Sequence, residues 1–347
     1  MSRTRSQLYI EYLRHVVYTV IFIFLAMNNN DNRSSDQSTP HSHDIAIPHF
    51  VQFWLILPFY IPSVVCSLFV LYHFITVRSL RVALHNHVII ILLSVNLVVQ
   101  LTSMLWNLIY YYQEYALWPI PFFCIVWITV DEGLHIAITV FFAWAAIERH
   151  ILIFHDRLVS TRQKTILFHY LPISIIFLYL IFYIPIVIIF PPCENTYDYD
   201  QLVCGYPLCY YDLRVLTVWD VVINHCVPTI LIIAGSIGLL CRILHQKSRM
   251  RQPIRWRNYR KLTIQLLSIS FLYLVLHTPH TLMEFMYLCG IPEEVGADFM
   301  SYTEFFSYYS NLLLPFICAG SIPELKTKLR HMLSCCKGSA RTVHPQA

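Results

Sequence analysis

Seven long apolar segments dominate this chain, and all seven make the same demand on the fold. They run over roughly 50–77, 86–112, 122–148, 165–190, 215–241, 260–288 and 302–322; a helix rising about 1.5 Å per residue needs about 20 such residues to cross about 30 Å of hydrocarbon. Inside lipid every backbone N–H and C=O must find a partner within the protein, so only helices or a closed barrel can span. These segments are too long, and alternate too little, for barrel strands. The expected fold class is an all-α membrane protein, a bundle of seven transmembrane helices. Composition points the same way: 57% of the residues are hydrophobic and 13% charged, where a soluble chain carries about a quarter charged. Pro58, Pro62, Pro185, Pro228, Pro279 and Pro315 fall inside the segments. A bundle tolerates them when neighbouring side chains satisfy the carbonyls they free. Eight glycines, with no internal period of about 20–50 residues, argue against a glycine-rich nucleotide domain and against a repeat array.

Ahead of the first segment, Val16–Met27 is apolar but short, with Arg3, Arg5 and Arg14 before it and NNNDNRSSDQSTPHSHD after it. That order is the pattern of a secretory signal peptide, and the domain expectation follows: 1–27 a signal peptide, 28–49 an extracellular tail, 50–322 the helical domain, 323–347 a cytoplasmic helix and tail. Orientation comes from charge, because cytoplasmic loops collect Lys and Arg. The first, third and fifth loops and the C-terminal tail hold nineteen of the twenty-four basic residues. The opposite side holds acids, among them Asp44, Glu114, Glu194, Asp198, Asp200 and Asp212. The N-terminus is therefore expected outside and the C-terminus in the cytoplasm, in the plasma membrane, with Asn32 as an N-glycosylation acceptor. The basic loop CRILHQKSRMRQPIRWRNYRK then faces anionic lipid headgroups and a cytoplasmic partner, and no nucleic acid is expected.

The eleven cysteines divide by compartment. Cys124 opens the third segment on the outer side, and Cys193, Cys204 and Cys209 lie in the second outer loop, where oxidising conditions permit disulfides. One of the three is expected to tie that loop to Cys124. Cys335 and Cys336 follow the basic amphipathic stretch ELKTKLRHMLSCC and are expected to be palmitoylated.

Cys124 at the top of the third segment, Glu148-Arg149-His150 at its bottom 25 residues on, and single prolines in the last three segments together resemble the rhodopsin-like (class A) G-protein-coupled receptors. SIPELKTKLRHMLSCC is similar to that family's short membrane-surface eighth helix, and the resemblance covers about residues 50–337. It implies an extracellular ligand, a heterotrimeric G protein as partner, no cofactor and no catalysis. It implies that Glu148 restrains Arg149 in the inactive bundle, and that Arg149, with His150, meets the G protein after release. It also makes Cys209, the cysteine nearest the fifth segment, the expected partner of Cys124. The chain departs from the family at several positions. Asn96 and Ile138 stand where the family places its sodium-site Asp and Ser, His277 where the sixth helix usually has Trp, and Leu314 and Cys318 where Asn-Pro-x-x-Tyr has Asn and Tyr.

Ionisable residues at membrane depth are costly and face the bundle interior, so each is a functional candidate. Asp131 precedes Arg149 by 18 residues, five whole turns, which puts the two on one face about 27 Å apart. Asp131 also follows Cys124 by seven residues, where amine-binding members of the family carry the Asp that pairs with an ammonium; Tyr308 is similar to the tyrosine that holds it. Asp220, Glu284 and Glu304 add acids in the outer halves of the last three segments. With His135, Asn224, His277 and His280, these residues form the expected ligand site, which attracts a cationic amine or peptide by field focusing. Three rivals are weighed against this reading. An intramembrane zinc hydrolase could use His277, His280 and Glu284, which share one helix face; one helix cannot enclose an ion, so no metal site is expected. A transporter should show an internal repeat. A receptor-like protein that has lost coupling would explain the missing Trp, Asn and Tyr.

Overall fold

A computed structural model describes residues 47–191, 193–206, 208–249, 253–292 and 294–321, and among them all regular structure is helical. Among the described residues, six helices are long and apolar enough to cross a membrane, as a multi-pass membrane protein requires. They are α1 (His49–Thr76), α2 (Leu84–Gln113), α3 (Pro121–Phe154), α4 (Arg162–Ile189), α5 (Arg214–Arg242) and α6 (Pro253–Leu288), the last qualifying over Leu266–Leu288. A seventh, α7 (Ala297–Ser321), is helical but does not qualify by the same measure. Its opening turns, ADFMSYTE, start earlier than the sequence pattern suggested and carry Asp298 and Glu304. The expected signal peptide and eighth helix, with Asn32, Cys335 and Cys336, lie outside the described residues.

α3 is the central strut, packed against α2, α4, α5 and α6, while α7 packs between α1 and α6. The outward faces are strongly apolar: Val65, Leu68 and Tyr72 on α1 and Ile175, Leu178, Ile181 and Phe182 on α4 are exposed. Lipid tails solvate such faces as well as another leucine would, so helix association must come from close packing and polar contacts. Close packing is clearest where α3 meets α5. A Cβ on Gly235 would lie 2.9 Å from the Cβ of Ala146, so only glycine permits this approach. The Gly235 carbonyl is then near enough to bond His150 Nε2 at 2.7 Å.

The prolines decide where the buried polar contacts go. Pro315 has no N–H, so the carbonyl of Asn311 four residues earlier loses its helical partner. Two side chains of α2 replace it: Asn96 Nδ2 and Gln100 Nε2 both donate to Asn311 O, each at 3.0 Å. Ser63 of α1 donates to the neighbouring Leu312 carbonyl at 2.7 Å and accepts from Gln100 Nε2 at 2.7 Å. Ser67 completes the group by donating to Gln100 Oε1 at 2.8 Å. All four side chains are fully buried, so α1, α2 and α7 are joined by one polar network around the α7 proline. A second proline effect appears in α5, where the turn Asp220–Cys226 widens into a π-helix just before Pro228.

Gln100→Leu keeps the volume but leaves the Ser67 hydroxyl without its acceptor and takes one donor each from Ser63 and the Asn311 carbonyl. An unmade buried hydrogen bond costs about 1–3 kcal/mol, so the purified variant should melt several degrees below wild type, whereas Leu68→Ala on the lipid face should melt within a degree or so of it.

Candidate functional site

Between α4 and α5 the outer loop folds back into the bundle. Its turn is a left-handed run: Val203, Cys204, Gly205 and Tyr206 have φ of 50°, 55°, 76° and 48°. Left-handed geometry costs an L-residue roughly 1–2 kcal/mol, and for a β-branched residue such as Val203 it persists only when the surroundings over-determine it. They do so here. Val203 and Cys204 are wholly buried, and Cys204 is bonded to Cys124 at the top of α3, with Cα atoms 5.8 Å apart. This corrects the expectation of a Cys124–Cys209 bond: Cys209 is bonded to Cys193 instead, 16 residues earlier. The physical reason is that the left-handed hook turns Cys204 inward over α3. Cys209 is held at the loop's base, where its N–H bonds Asn195 Oδ1 at 3.1 Å.

The hook delivers Tyr206 among the acids of α3 and α7. Its hydroxyl donates to Glu304 Oε1 at 2.6 Å and lies 3.1 Å from the Tyr308 hydroxyl and 3.2 Å from Asp131 Oδ2. Burial, together with the charge of Glu304, lifts the Tyr206 hydroxyl well above its usual range, so it stays a donor. Ser103 of α2 donates to the other oxygen of Asp131. Two carboxylates that share one hydroxyl in a water-poor region require a cation or a proton to balance them. The structure thus brings together Asp131, Glu304 and Tyr308, as the sequence suggested. It adds Ser103 and Tyr206, which no periodicity marks.

One residue further along α3 the helix faces a different neighbour, since successive side chains point about 100° apart. Glu132 turns toward α5 and α6. Its Oε1 lies 3.4 Å from His225 Nε2, while His225 Nδ1 lies 3.6 Å from Glu284 Oε2 and His280 Nδ1 lies 3.7 Å from the same oxygen. Asp220 accepts from Tyr183 at 2.6 Å, Asn224 at 2.6 Å and Tyr210 at 2.9 Å; Asn224 in turn accepts from Tyr179 at 2.6 Å. Deeper in, His277 and His135 meet through their Nε2 atoms. Asp220, Asn224, His135, His277, His280 and Glu284 therefore gather as expected. Glu132, a candidate as an acid at membrane depth, joins them, and His225 and the three tyrosines are additional.

At the opposite end of α3 the expected Glu148–Arg149 pairing is not what forms. Adjacent helical residues do not face each other. Glu148 bonds His169 of α4, whose other nitrogen meets His87 of α2 at 3.0 Å. Arg149 donates to the His85 carbonyl at 2.7 Å. Both are almost wholly buried, at 1% and 2% exposure, which rules out a simple snorkelling anchor for Arg149.

Tyr206→Phe deletes the hydroxyl that links the loop to α3 and α7 without changing its shape. A hydrogen bond to a charged group contributes about 1.5–3 kcal/mol, so amide exchange over residues 198–208 should quicken by roughly tenfold or more. Peptide mapping without reductant should recover the Cys124–Cys204 link in the variant as in the wild type.

No protein-family model matches the sequence, and a comparison with curated proteins finds no match. Solved structures do match in fold. Squid rhodopsin superimposes with a TM-score of 0.64 at 15% sequence identity, covering 90% of this chain and 98% of that one. At that identity the likeness establishes the fold: the chain has the helical arrangement of rhodopsin.

Proposed function

We propose that the chain is a divergent G-protein-coupled receptor of the plasma membrane, with its N-terminus outside. In this reading α7 is the seventh membrane span, and an extracellular cation, an amine or a basic peptide, binds between the outer halves of α3, α5, α6 and α7. The observation that carries the reading is the build of α3. Its outer end holds a disulfide-anchored loop over an acidic cluster, and its inner end holds a buried Glu148-Arg149 pair of neighbours followed by a half-buried His150 on the same helix, inside a rhodopsin-like bundle.

Asp131 and Glu304 supply the charge that pairs with the cation, helped by Tyr308. His135, Asp220, Asn224, His277, His280 and Glu284 line the neighbouring side. Tyr206 occupies the acidic group in the structure described here, so a ligand must compete with it for Glu304 and Asp131. Binding shifts a two-state bundle only as far as its contacts differ between the states, and displacement of Tyr206 is such a difference. At the inner end, release of Arg149 from the His85 carbonyl exposes it to the G protein. Glu148, His169 and His87 act as the restraint that holds α2, α3 and α4 together.

A second reading, a receptor-like protein without coupling, is favoured by one specific observation: Glu148 engages His169 rather than Arg149. Guanine-nucleotide exchange on a panel of G proteins, in membranes challenged with basic peptide and amine fractions, separates the two. Coupling predicts exchange in the wild type, loss by about tenfold or more in Arg149→Ala, and a comparable loss of ligand potency in Asp131→Asn, as expected when a charge-assisted contact is removed. Surface-expressed protein that binds a fraction but drives no exchange establishes the uncoupled reading.

A further inference from the structure

The second polar cluster has a feature that a ligand cavity alone does not explain. Glu132 of α3 and Asp220 and His225 of α5 each bring one ligand-capable atom to a common point, and these atoms lie within 4.8 Å of one another. Glu132 Oε1 and both ring nitrogens of His225 are buried without a hydrogen-bond partner, although His225 is only 2% exposed. The His225 nitrogens have carboxylate neighbours only at ion-pair distance, 3.4 Å to Glu132 of α3 and 3.6 Å to Glu284 of α6, and a buried imidazole held this loosely is costly.

We propose that Glu132, Asp220 and His225 form a binding site for a divalent transition metal, best suited to zinc. The spacing supports a shared ion over a direct bond. The 3.4 Å from His225 Nε2 to Glu132 Oε1 exceeds an ordinary N–H···O contact of about 2.9 Å. It equals the edge of a tetrahedron whose ligands lie about 2.0–2.2 Å from the metal, roughly 3.3–3.6 Å. The surroundings also fit. Metal-bound histidines donate their second nitrogen to a carboxylate, and His225 Nδ1 faces Glu284 Oε2 at 3.6 Å. Ligating carboxylates are themselves hydrogen-bonded, and Asp220 accepts from Tyr183, Asn224 and Tyr210. A carboxylate has about four acceptor positions, so one remains for the ion. Burial keeps the Tyr210 phenol well above its usual range, fixing it as a donor to Asp220.

The donor set selects the metal. One imidazole with two carboxylates suits zinc better than magnesium or calcium, which prefer all-oxygen shells. The two carboxylates also balance the charge of a dication in a water-poor bundle. Three protein ligands leave the fourth position to water or to a donor atom of an extracellular ligand. The site joins α3 to α5 on the outer side of the contact at Gly235, so zinc stiffens two helices that the receptor reading requires to move. Zinc binding itself does not depend on that reading.

The test uses the full chain, purified without a metal-affinity tag, with zinc chloride as the probe. Elemental analysis after desalting should find one zinc per chain, removed by a chelator and restored by zinc. Glu132→Gln and His225→Gln should each weaken zinc binding by roughly tenfold or more, and Glu284→Gln should do so to a smaller degree. His155→Gln, at an exposed residue beyond the inner end of α3, should bind as wild type does. If the variants fail to fold, cobalt substituted into the wild type reads the site directly. Visible bands of a four-coordinate nitrogen and oxygen shell are expected. Substoichiometric zinc in the wild type, binding unchanged in folded His225→Gln, or a cobalt spectrum of fully hydrated or sulfur-bound ion overturns the proposal. So does a protonated His225 in metal-free protein that zinc does not displace. None of these outcomes bears on nucleotide exchange, so a failed metal site and a failed coupling reading remain distinguishable.

Discussion

The carbonyl of Asn311, stripped of its helical donor by Pro315, sets the terms for the inner bundle. In a membrane no water stands ready to replace a lost N–H, so the protein must supply the donor itself. Asn96 and Gln100 do so from α2, and Ser63 and Ser67 bring in α1. Lipid offers little reason for one apolar helix to prefer another. Registry among α1, α2 and α7 therefore follows from a few polar atoms that have no alternative partner. The position the family resemblance marks as a sodium ligand is filled here by Asn96, which serves as such a donor. Its role in this chain is to hold a carbonyl.

The same logic, applied near the outer end, gives a different outcome. Asp131, Glu132, Asp220, Glu284 and Glu304 are more acids than a closed bundle can satisfy with its own donors. Tyr206 and Ser103 meet the Asp131 group, and three hydroxyl or amide donors meet Asp220. His225 and its carboxylate neighbours are left at 3.4 and 3.6 Å, too far for good hydrogen bonds and near enough to share an ion. Surplus negative charge of this kind is stable only with a cation, whether a ligand's, a metal's or a proton. The receptor reading thus places function on the residues that are hardest to hold stable.

The central helix links the two ends. Its outer turn is pinned by Cys124, its middle separates Asp131 from Glu132 by about 100°, and its inner turn sends Glu148 to α4 and Arg149 to α2. Adjacent residues therefore serve different neighbours. An acid and a base side by side in the sequence read as a pair, yet on a helix they diverge. The inner end of α3 is therefore tied to both α2 and α4, Arg149 to the His85 carbonyl and Glu148 to His169.

Much of this was legible in the chain itself. Length and apolarity of the segments dictated a helical bundle, because lipid permits little else. Helical periodicity put Asp131 and Arg149 on one face, and the family resemblance marked Tyr308 with them. The chain alone could not choose among Cys193, Cys204 and Cys209, because the choice rests on a left-handed hook at Val203–Tyr206 that only the packed loop sustains. Nor could it reveal Tyr206 as the partner of Asp131 and Glu304, since a loop has no period. His225 was hidden for a sharper reason. At 3.6 residues per turn it lies about 140° from Asp220, on another face of α5. The widened turn before Pro228 brings the two together, and that local unwinding is settled by the packing of α5 against its neighbours.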